Sequence, residues 1–157
     1  MEGKSHPVKP SEITIRKASI EDVEEIFEIE KLSFKRPYPK YYLQWLIEGL
    51  ADIFLVAEVN GKIIGYIAGR VEYGNLGHIV TIAVHPNWRR KGLGTMLMRK
   101  ILNYFRKNSC KKAYLEVRVS NEPAIKLYQR LGFRKVRIIK HYYEDGEDAF
   151  LMAKFLE

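Results

Sequence analysis

Apolar and polar residues alternate from Ile13 to Ile15, and apolar residues then recur at Ile20, Val23, Ile26, Phe27 and Ile29. The first pattern predicts a strand ending near Lys17, the second an amphipathic helix with its other side acidic. Ser19 stands as N-cap of that helix, with Asp22 three residues on in the capping-box position. Pro37 and Pro39 make Phe34 to Tyr42 open as a loop, and a second helix follows through Leu43, Leu46, Ile47 and Leu50. Ile53 to Val59 and Lys62 to Val71 are predicted strands, joined by the two-residue hairpin turn Asn60-Gly61. A turn at Gly74-Asn75 leads to a third strand, His78 to Val84, which Pro86 ends. Leu93, Leu97, Ile101 and Phe105 keep one face of a long helix predicted from about Arg90 to Lys107. Ala113, Leu115, Val117 and Val119 alternate as the next strand. Asn121 caps a short helix with the stripe Ala124, Leu127, Tyr128, Leu131, and Gly132 stops it. Phe133 to Lys140 and Ala149 to Phe155 are the last strands, around the acidic turn Glu144 to Asp148.

The order is β-αα-βββ-α-β-α-ββ, in a chain of 157 residues that suits one domain from residue 12 to 157 behind a flexible arm, 1 to 11. Charge sharpens this picture. The net charge is +8, yet from Tyr73 to Leu115 there is no Asp or Glu, and that stretch holds nine Lys and Arg. The other 18 basic residues face 19 acidic ones, so the basicity belongs to one segment and suggests a local polyanion. A single cysteine, Cys110, excludes an intramolecular disulfide and a cysteine-based zinc site and suits a reducing compartment. The N-terminal stretch has no apolar core of a signal peptide, and no apolar run approaches the ~20 residues of a membrane helix. A cytoplasmic location without membrane contact is expected.

The stretch Thr81 to Thr95 carries the chemistry: a strand ends, a basic glycine-containing loop follows, and a helix begins. Helix N-termini present unpaired N–H groups and a positive dipole end that suit phosphate. Gly92 and Gly94 let backbone approach a ligand closely, and Arg89, Arg90 and Lys91 add charge. A basic turn with two helix-opening glycines is the plain alternative. The stretch is neither a Walker A loop nor a dinucleotide fingerprint.

Arg89-x-x-Gly92-x-Gly94 resembles the (Gln/Arg)-x-x-Gly-x-(Gly/Ala) signature of the GNAT acetyltransferases. Tyr114-Leu115-Glu116-Val117-Arg118-Val119-Ser120-Asn121 and Ala124 to Phe133 are similar to the second half of that family, above all to its RimI-type, N-terminal acetyltransferase branch. Tyr142-Tyr143-x-Asp145-Gly146-Glu147-Asp148-Ala149 resembles the end of archaeal and eukaryotic catalytic subunits of that branch. The resemblance spans residues 13 to 155. It implies a mixed α/β (α+β) GNAT fold, with a mostly antiparallel seven-stranded sheet, one splayed parallel strand pair and about four helices. It implies acetyl-CoA as donor, held by the backbone of Ile82, Ala83 and Val84, by the loop Arg89, Arg90, Lys91, Gly92, Leu93, Gly94 and Thr95, and by Asn121 and Tyr128.

Acyl transfer from a thioester needs a neutral amine, a stabilised oxyanion and a protonated leaving thiolate. An α-amine, with reference pKa near 7.7–8.0, needs only a mild base. Glu116 lies in mid-strand with Tyr114 and Arg118 on the side opposite the apolar residues. From the pattern alone an ion pair with Arg118 is the simpler account of it, whereas the family position makes it the base. His78 stands where the family often has a His or Tyr that works with that residue through water; the alternative is a strand-end histidine bonded to backbone. His and one carboxylate are too few ligands to predict a metal. Tyr128 is either a core aromatic or, by resemblance, the acid near the CoA sulfur.

By the same resemblance Tyr38, Tyr142 and Tyr143 clamp the peptide. Relatives carry Leu-Pro-Glu-Asn-Tyr where this chain has Phe34-Lys35-Arg36-Pro37-Tyr38, so Arg36 replaces an acid and is expected to favour acidic N-termini. The expected function is acetylation of protein N-terminal α-amines, nascent or mature. The alternatives are acetylation of a lysine or small amine, or a basic ribosome- or RNA-binding module carried by Arg99, Lys100, Arg106 and Lys107. Specific DNA binding is not expected.

Overall fold

The computed structural model describes Lys9 and residues 12–157. Apart from Lys9, the arm expected at 1–11 lies outside the described residues. The elements run β1 (Thr14–Lys17), α1 (Val23–Ser33), α2 (Lys40–Trp45), β2 (Ile53–Val59), β3 (Lys62–Glu72), β4 (Leu76–Val84), α3 (Leu93–Lys107), β5 (Lys112–Arg118), α4 (Glu122–Arg130), β6 (Arg134–Ile139) and β7 (Ala149–Phe155). This is the predicted order. The seven strands form one sheet, ordered β1-β2-β3-β4-β5-β7-β6. Every neighbouring pair is antiparallel except β4 and β5.

Strand ends shift by a residue or two from the sequence expectation, and two helix starts differ more. α2 begins at Lys40, directly after Pro39, because a proline before the first turn sacrifices no hydrogen bond. α3 begins at Leu93 rather than near Arg90, because Arg90 (φ 62°) and Gly92 (φ 82°) are left-handed and cannot continue a helix. The Asn60-Gly61 turn has positive φ at both positions, as its hairpin type requires.

The sheet is covered on both faces. Val23, Ile26 and Ile29 of α1 and Leu43 of α2 pack on Val56, Tyr66 and Ala68. Leu93, Leu97, Ile101 and Phe105 of α3 pack on Ala57, Ile64 and Ile67, and the same core takes in Ile125 and Tyr128 of α4. Burial on both faces explains why β2 and β3 read as near-continuous apolar runs. Each fully buried side chain of this kind contributes about 1.5–3 kcal/mol. Phe105 closes the far end of α3 against Gly69 and Gly77, where a Cβ would meet its ring and, at Gly69, also Ile101.

One departure from regularity positions the site. Ala68 pairs with Thr81 and Gly69 with Ile79, so Val80 is an extra residue in β4. Such a bulge bends its strand. The parallel ladder of β4 with β5 holds only at Leu76–Lys112, Gly77–Ala113 and His78–Tyr114. Beyond it the strands diverge and a cleft opens in the sheet.

Candidate active site

The cleft has two chambers, of about 640 and 620 Å3, that share Phe34, Ile82, Asn121, Ala124 and Tyr128. They meet where β4 and β5 part.

The first chamber is lined by Ile82 to Val84 on β4, by the loop after β4 and by the first turn of α3. Beyond His78 the β5-facing backbone groups of β4 have no strand partner. The first turn of α3 has no side-chain cap, so the N–H groups of Leu93, Gly94 and Thr95 are free to face a ligand. The helix is 15 residues long, and no acid stands in its first turn to compete with an anion. Gly94 packs against α4, where a Cβ would lie 3.1 Å from Leu127. Asn121 caps α4 by accepting from the Ala124 N–H at 3.3 Å.

All but one of the predicted donor residues line this chamber; Lys91 does not, and it is exposed. Arg89 has a second task. Its Nε donates to the Val84 carbonyl at 2.9 Å and its terminal nitrogen to Ser33 Oγ at 3.1 Å. It ties the loop to the ends of β4 and α1, which leaves Arg90 as the loop cation in this chamber without a hydrogen bond or ion pair among the described residues.

The second chamber gathers Arg36, Tyr38, Glu116, Tyr128, Tyr142 and Tyr143. Tyr38 packs on Tyr42 at 4.7 Å and Tyr142 on Tyr143 at 4.9 Å. Arg36 faces Glu144 at 3.8 Å across the mouth, joining the loop before α2 to the β6–β7 turn. Arg118 is not the partner of Glu116. It lies 4.1 Å over the Tyr143 ring and binds Asp145 Oδ2 at 2.9 Å and Glu147 Oε1 at 2.8 Å. The acidic turn therefore holds Arg118, and Arg118 holds Tyr143.

Glu116 instead meets His78, whose Nε2 lies 2.8 Å from Glu116 Oε1. His78 stands behind Glu116 rather than in the chamber lining. Its Nδ1 is 3.2 Å from Glu72 Oε2, and the Tyr114 hydroxyl donates to the other Glu72 oxygen. The His78 and Tyr114 rings stack at 4.4 Å, almost parallel. Burial opposes a charge on His78, but the hydrogen bond and charge of Glu116, then those of Glu72, outweigh it and raise its pKa above 6.5. Exposure rises along the row: the side chains of Glu116, His78 and Glu72 are 16%, 19% and 31% accessible.

Tyr128 is buried, and burial raises its pKa. Its hydroxyl has no hydrogen-bond partner among the described residues, and the residue lines both chambers. No group of three or more metal-ligating side chains occurs among the described residues.

Sequence reasoning missed three residues. Glu72 and Tyr114 complete the row behind Glu116. Glu30, 1% exposed, accepts from the Tyr38 N–H at 2.9 Å and from the Tyr66 hydroxyl. Burial raises the Glu30 pKa against the pull of these two donors. The signal for Glu30 was in the pattern: Val23, Ile26, Phe27 and Glu30 are i, i+3, i+4 and i+7, so this carboxylate sits in the apolar stripe.

A cleft between splayed parallel strands, floored by a glycine-opened helix N-terminus, defines an acyl-transferase site of the GNAT type. The chain belongs to the acetyltransferase (GNAT) family, whose model matches residues 20–133. It is 43% identical to an N-alpha-acetyltransferase of Sulfurisphaera tokodaii, over 92% of this chain and 94% of the relative. It is 35% identical to a putative ribosomal protein bS18-alanine N-acetyltransferase of Bacillus subtilis, over 88% of this chain and 92% of that one. The crystal structure of Ard1 from Thermoplasma volcanium superposes with a TM-score of 0.88 at 30% identity, over 93% of this chain and 99% of the other. The fold is the mixed α/β GNAT fold, and the donor is acetyl-CoA. The first chamber fits that donor: unpaired strand edge for an amide-bearing arm, free helix N–H groups and Arg90 for phosphate.

Proposed function

We propose that this chain acetylates the N-terminal α-amine of proteins, with Glu116 as base, His78 and Glu72 as the path by which the proton leaves, and Tyr128 as acid. The single observation that carries this is the row Glu116–His78–Glu72, which begins at the acceptor chamber and ends toward solvent. The Sulfurisphaera and Bacillus relatives, both named for N-terminal acetylation, support the substrate class.

Acetyl-CoA supplies a thioester carbonyl at the junction of the chambers. The tyrosines of the acceptor chamber hold an extended N-terminus with its amine beside Glu116. Glu116 takes the proton that the amine loses as the C–N bond forms. His78 accepts it at Nε2 and releases one from Nδ1 to Glu72, so the accepting form of the relay has His78 neutral. The Tyr128 hydroxyl gives its proton to the sulfur as the C–S bond breaks, and its apolar surroundings keep the phenol protonated until then. Unpaired N–H groups on β4 receive the carbonyl oxygen as its charge develops.

The peptide α-amine favours this reading over a lysine side chain, whose reference pKa near 10.4 asks for a stronger base than a partly solvated carboxylate. We place the reaction in the cytoplasm and on nascent as well as finished chains. No described helix is long and apolar enough to cross a membrane, and Cys110 is a buried free thiol. Mass spectrometry of a random N-terminus peptide mixture incubated with acetyl-CoA tests the proposal. Acetyl groups on free α-amines are expected; acetylation confined to lysines of N-terminally blocked peptides overturns it.

A further inference from the structure

Six of the nine cations in the acid-free stretch lie beyond the donor loop, on α3 and just after it, and the cleft does not use them. Three of them, Arg99, Lys100 and Arg106, border a groove of about 690 Å3 with Arg130 at the end of α4 and Lys154 on β7. These five cations come from three elements far apart in sequence. Sequence reading identified the helix face, but Arg130 and Lys154 join it only through the fold. No acidic side chain lines the groove.

Elsewhere on the described surface some cations are paired, while others, such as Lys62, Arg70 and Lys126, stand singly. Arg16, Lys31, Arg36, Lys40, Arg118 and Lys140 each have a carboxylate within 4.0 Å. Among the described residues, none of the five groove cations has an ion pair or a side-chain hydrogen bond. Five like charges on one concavity repel one another, a cost that a bound polyanion reverses. Arg99 and Arg106 are seven residues apart, about 10 Å along the helix axis at 1.5 Å per residue. That spread matches a run of phosphates, not a single ion, and Leu102 and Leu131 also line the groove.

We propose that this groove binds the phosphate backbone of RNA, beside the donor chamber, with which it shares Arg130. The choice of RNA among polyphosphates rests on the N-terminal acetylation reading, since nascent N-termini emerge from a body of RNA. The binding itself does not depend on that reading.

The test is fluorescence anisotropy of a short labelled single-stranded RNA between about 50 and 200 mM salt, the range where phosphate contacts dominate the change in affinity. The Arg99→Glu/Arg106→Glu variant is expected to lose at least tenfold in affinity. Its dependence of log Kd on log salt is expected to flatten by about 1.4, near 0.7 per lost contact on a single strand. Acetylation of a short peptide stays within twofold of wild type, which shows that the variant folds; Arg99→Gln/Arg106→Gln serves if the charge reversal does not. Wild-type RNA that fails to bind at low salt, or a double variant that binds as well as wild type, overturns the proposal. Competition by polyglutamate as strong as by RNA assigns the groove to an acidic protein, and equal competition by duplex DNA removes the preference for RNA; either result overturns the assignment. Peptide acetylation is read separately, so failure of the enzyme reading is distinguishable from failure of this one.

Discussion

The donor chamber is made mostly of backbone, the acceptor chamber mostly of side chains. On the donor side a strand edge, two glycines and a helix N-terminus present N–H groups, and Arg89 serves to brace the loop. On the acceptor side several segments send in tyrosines and carboxylates, and three of these groups are held by a further partner: Tyr38 by Glu30, Glu116 by His78, Tyr143 by Arg118. A ligand that never changes is served by main chain, which mutation barely alters. A ligand that varies from protein to protein is served by groups that substitution can retune. Damage to the donor side is thus expected in cofactor affinity, and damage to the acceptor side in turnover and selectivity.

The sharpest break comes from Glu116→Gln. Turnover falls about 100-fold or more, the usual worth of a positioned general base, while acetyl-CoA affinity by calorimetry is unchanged. On the donor side, Gly92→Val forces a branched side chain into a left-handed position, a strain of about 1–2 kcal/mol. The KM for acetyl-CoA rises about tenfold and the peptide KM stays near wild type. An equal rise in both constants would dissolve the division between the chambers.

Glu72→Gln reaches Glu116 through His78, and turnover falls less, about tenfold, the low side of general-base effects. Removing this carboxylate lowers the His78 pKa, so the rising limb of the pH–rate profile moves to lower pH. A purely structural role would leave that limb in place. The same shift sets a stability window. His78 has a raised folded-state pKa, so its stabilisation is full below 6.5 and is lost as pH rises through the folded value. Thermal melts of wild type against His78→Gln converge across that interval. The smallest effect belongs to Arg36→Glu. The exposed Arg36–Glu144 pair becomes two acids, and selectivity between acidic and basic peptides shifts by about two- to fivefold, in line with a surface pair worth under about 1 kcal/mol.

The difference between the chambers also governs what the sequence discloses. Glycines and a basic loop leave a local signature, and every residue from Ile82 to Thr95 expected at the donor site, except Lys91, lines the chamber. Arg90 was expected inside α3 because periodicity is silent about a left-handed backbone. Glu72 and Tyr114 carry no local mark. They reach His78 only once β3, β4 and β5 take their register, which pairs Arg70 with His78 and His78 with Tyr114. Glu30 did carry a mark, a carboxylate in an apolar stripe, but assigning every acid of α1 to the solvated side hid it. Element order was legible throughout because both faces of the sheet are covered and each helix shows one clean stripe. The parallel sense of β4 and β5 came from the family resemblance and not from alternation, which is the same in either direction.

The short ladder between β4 and β5 has a mechanical consequence. Only three backbone rungs of the sheet join its two leaves, β1 to β4 on one side and β5 to β7 on the other, and the last rung is His78–Tyr114 itself. The spine of this open book runs through the proposed proton path. Whatever lies between the leaves supplies the missing rungs, so the filled protein resists prying apart where the empty one has a seam.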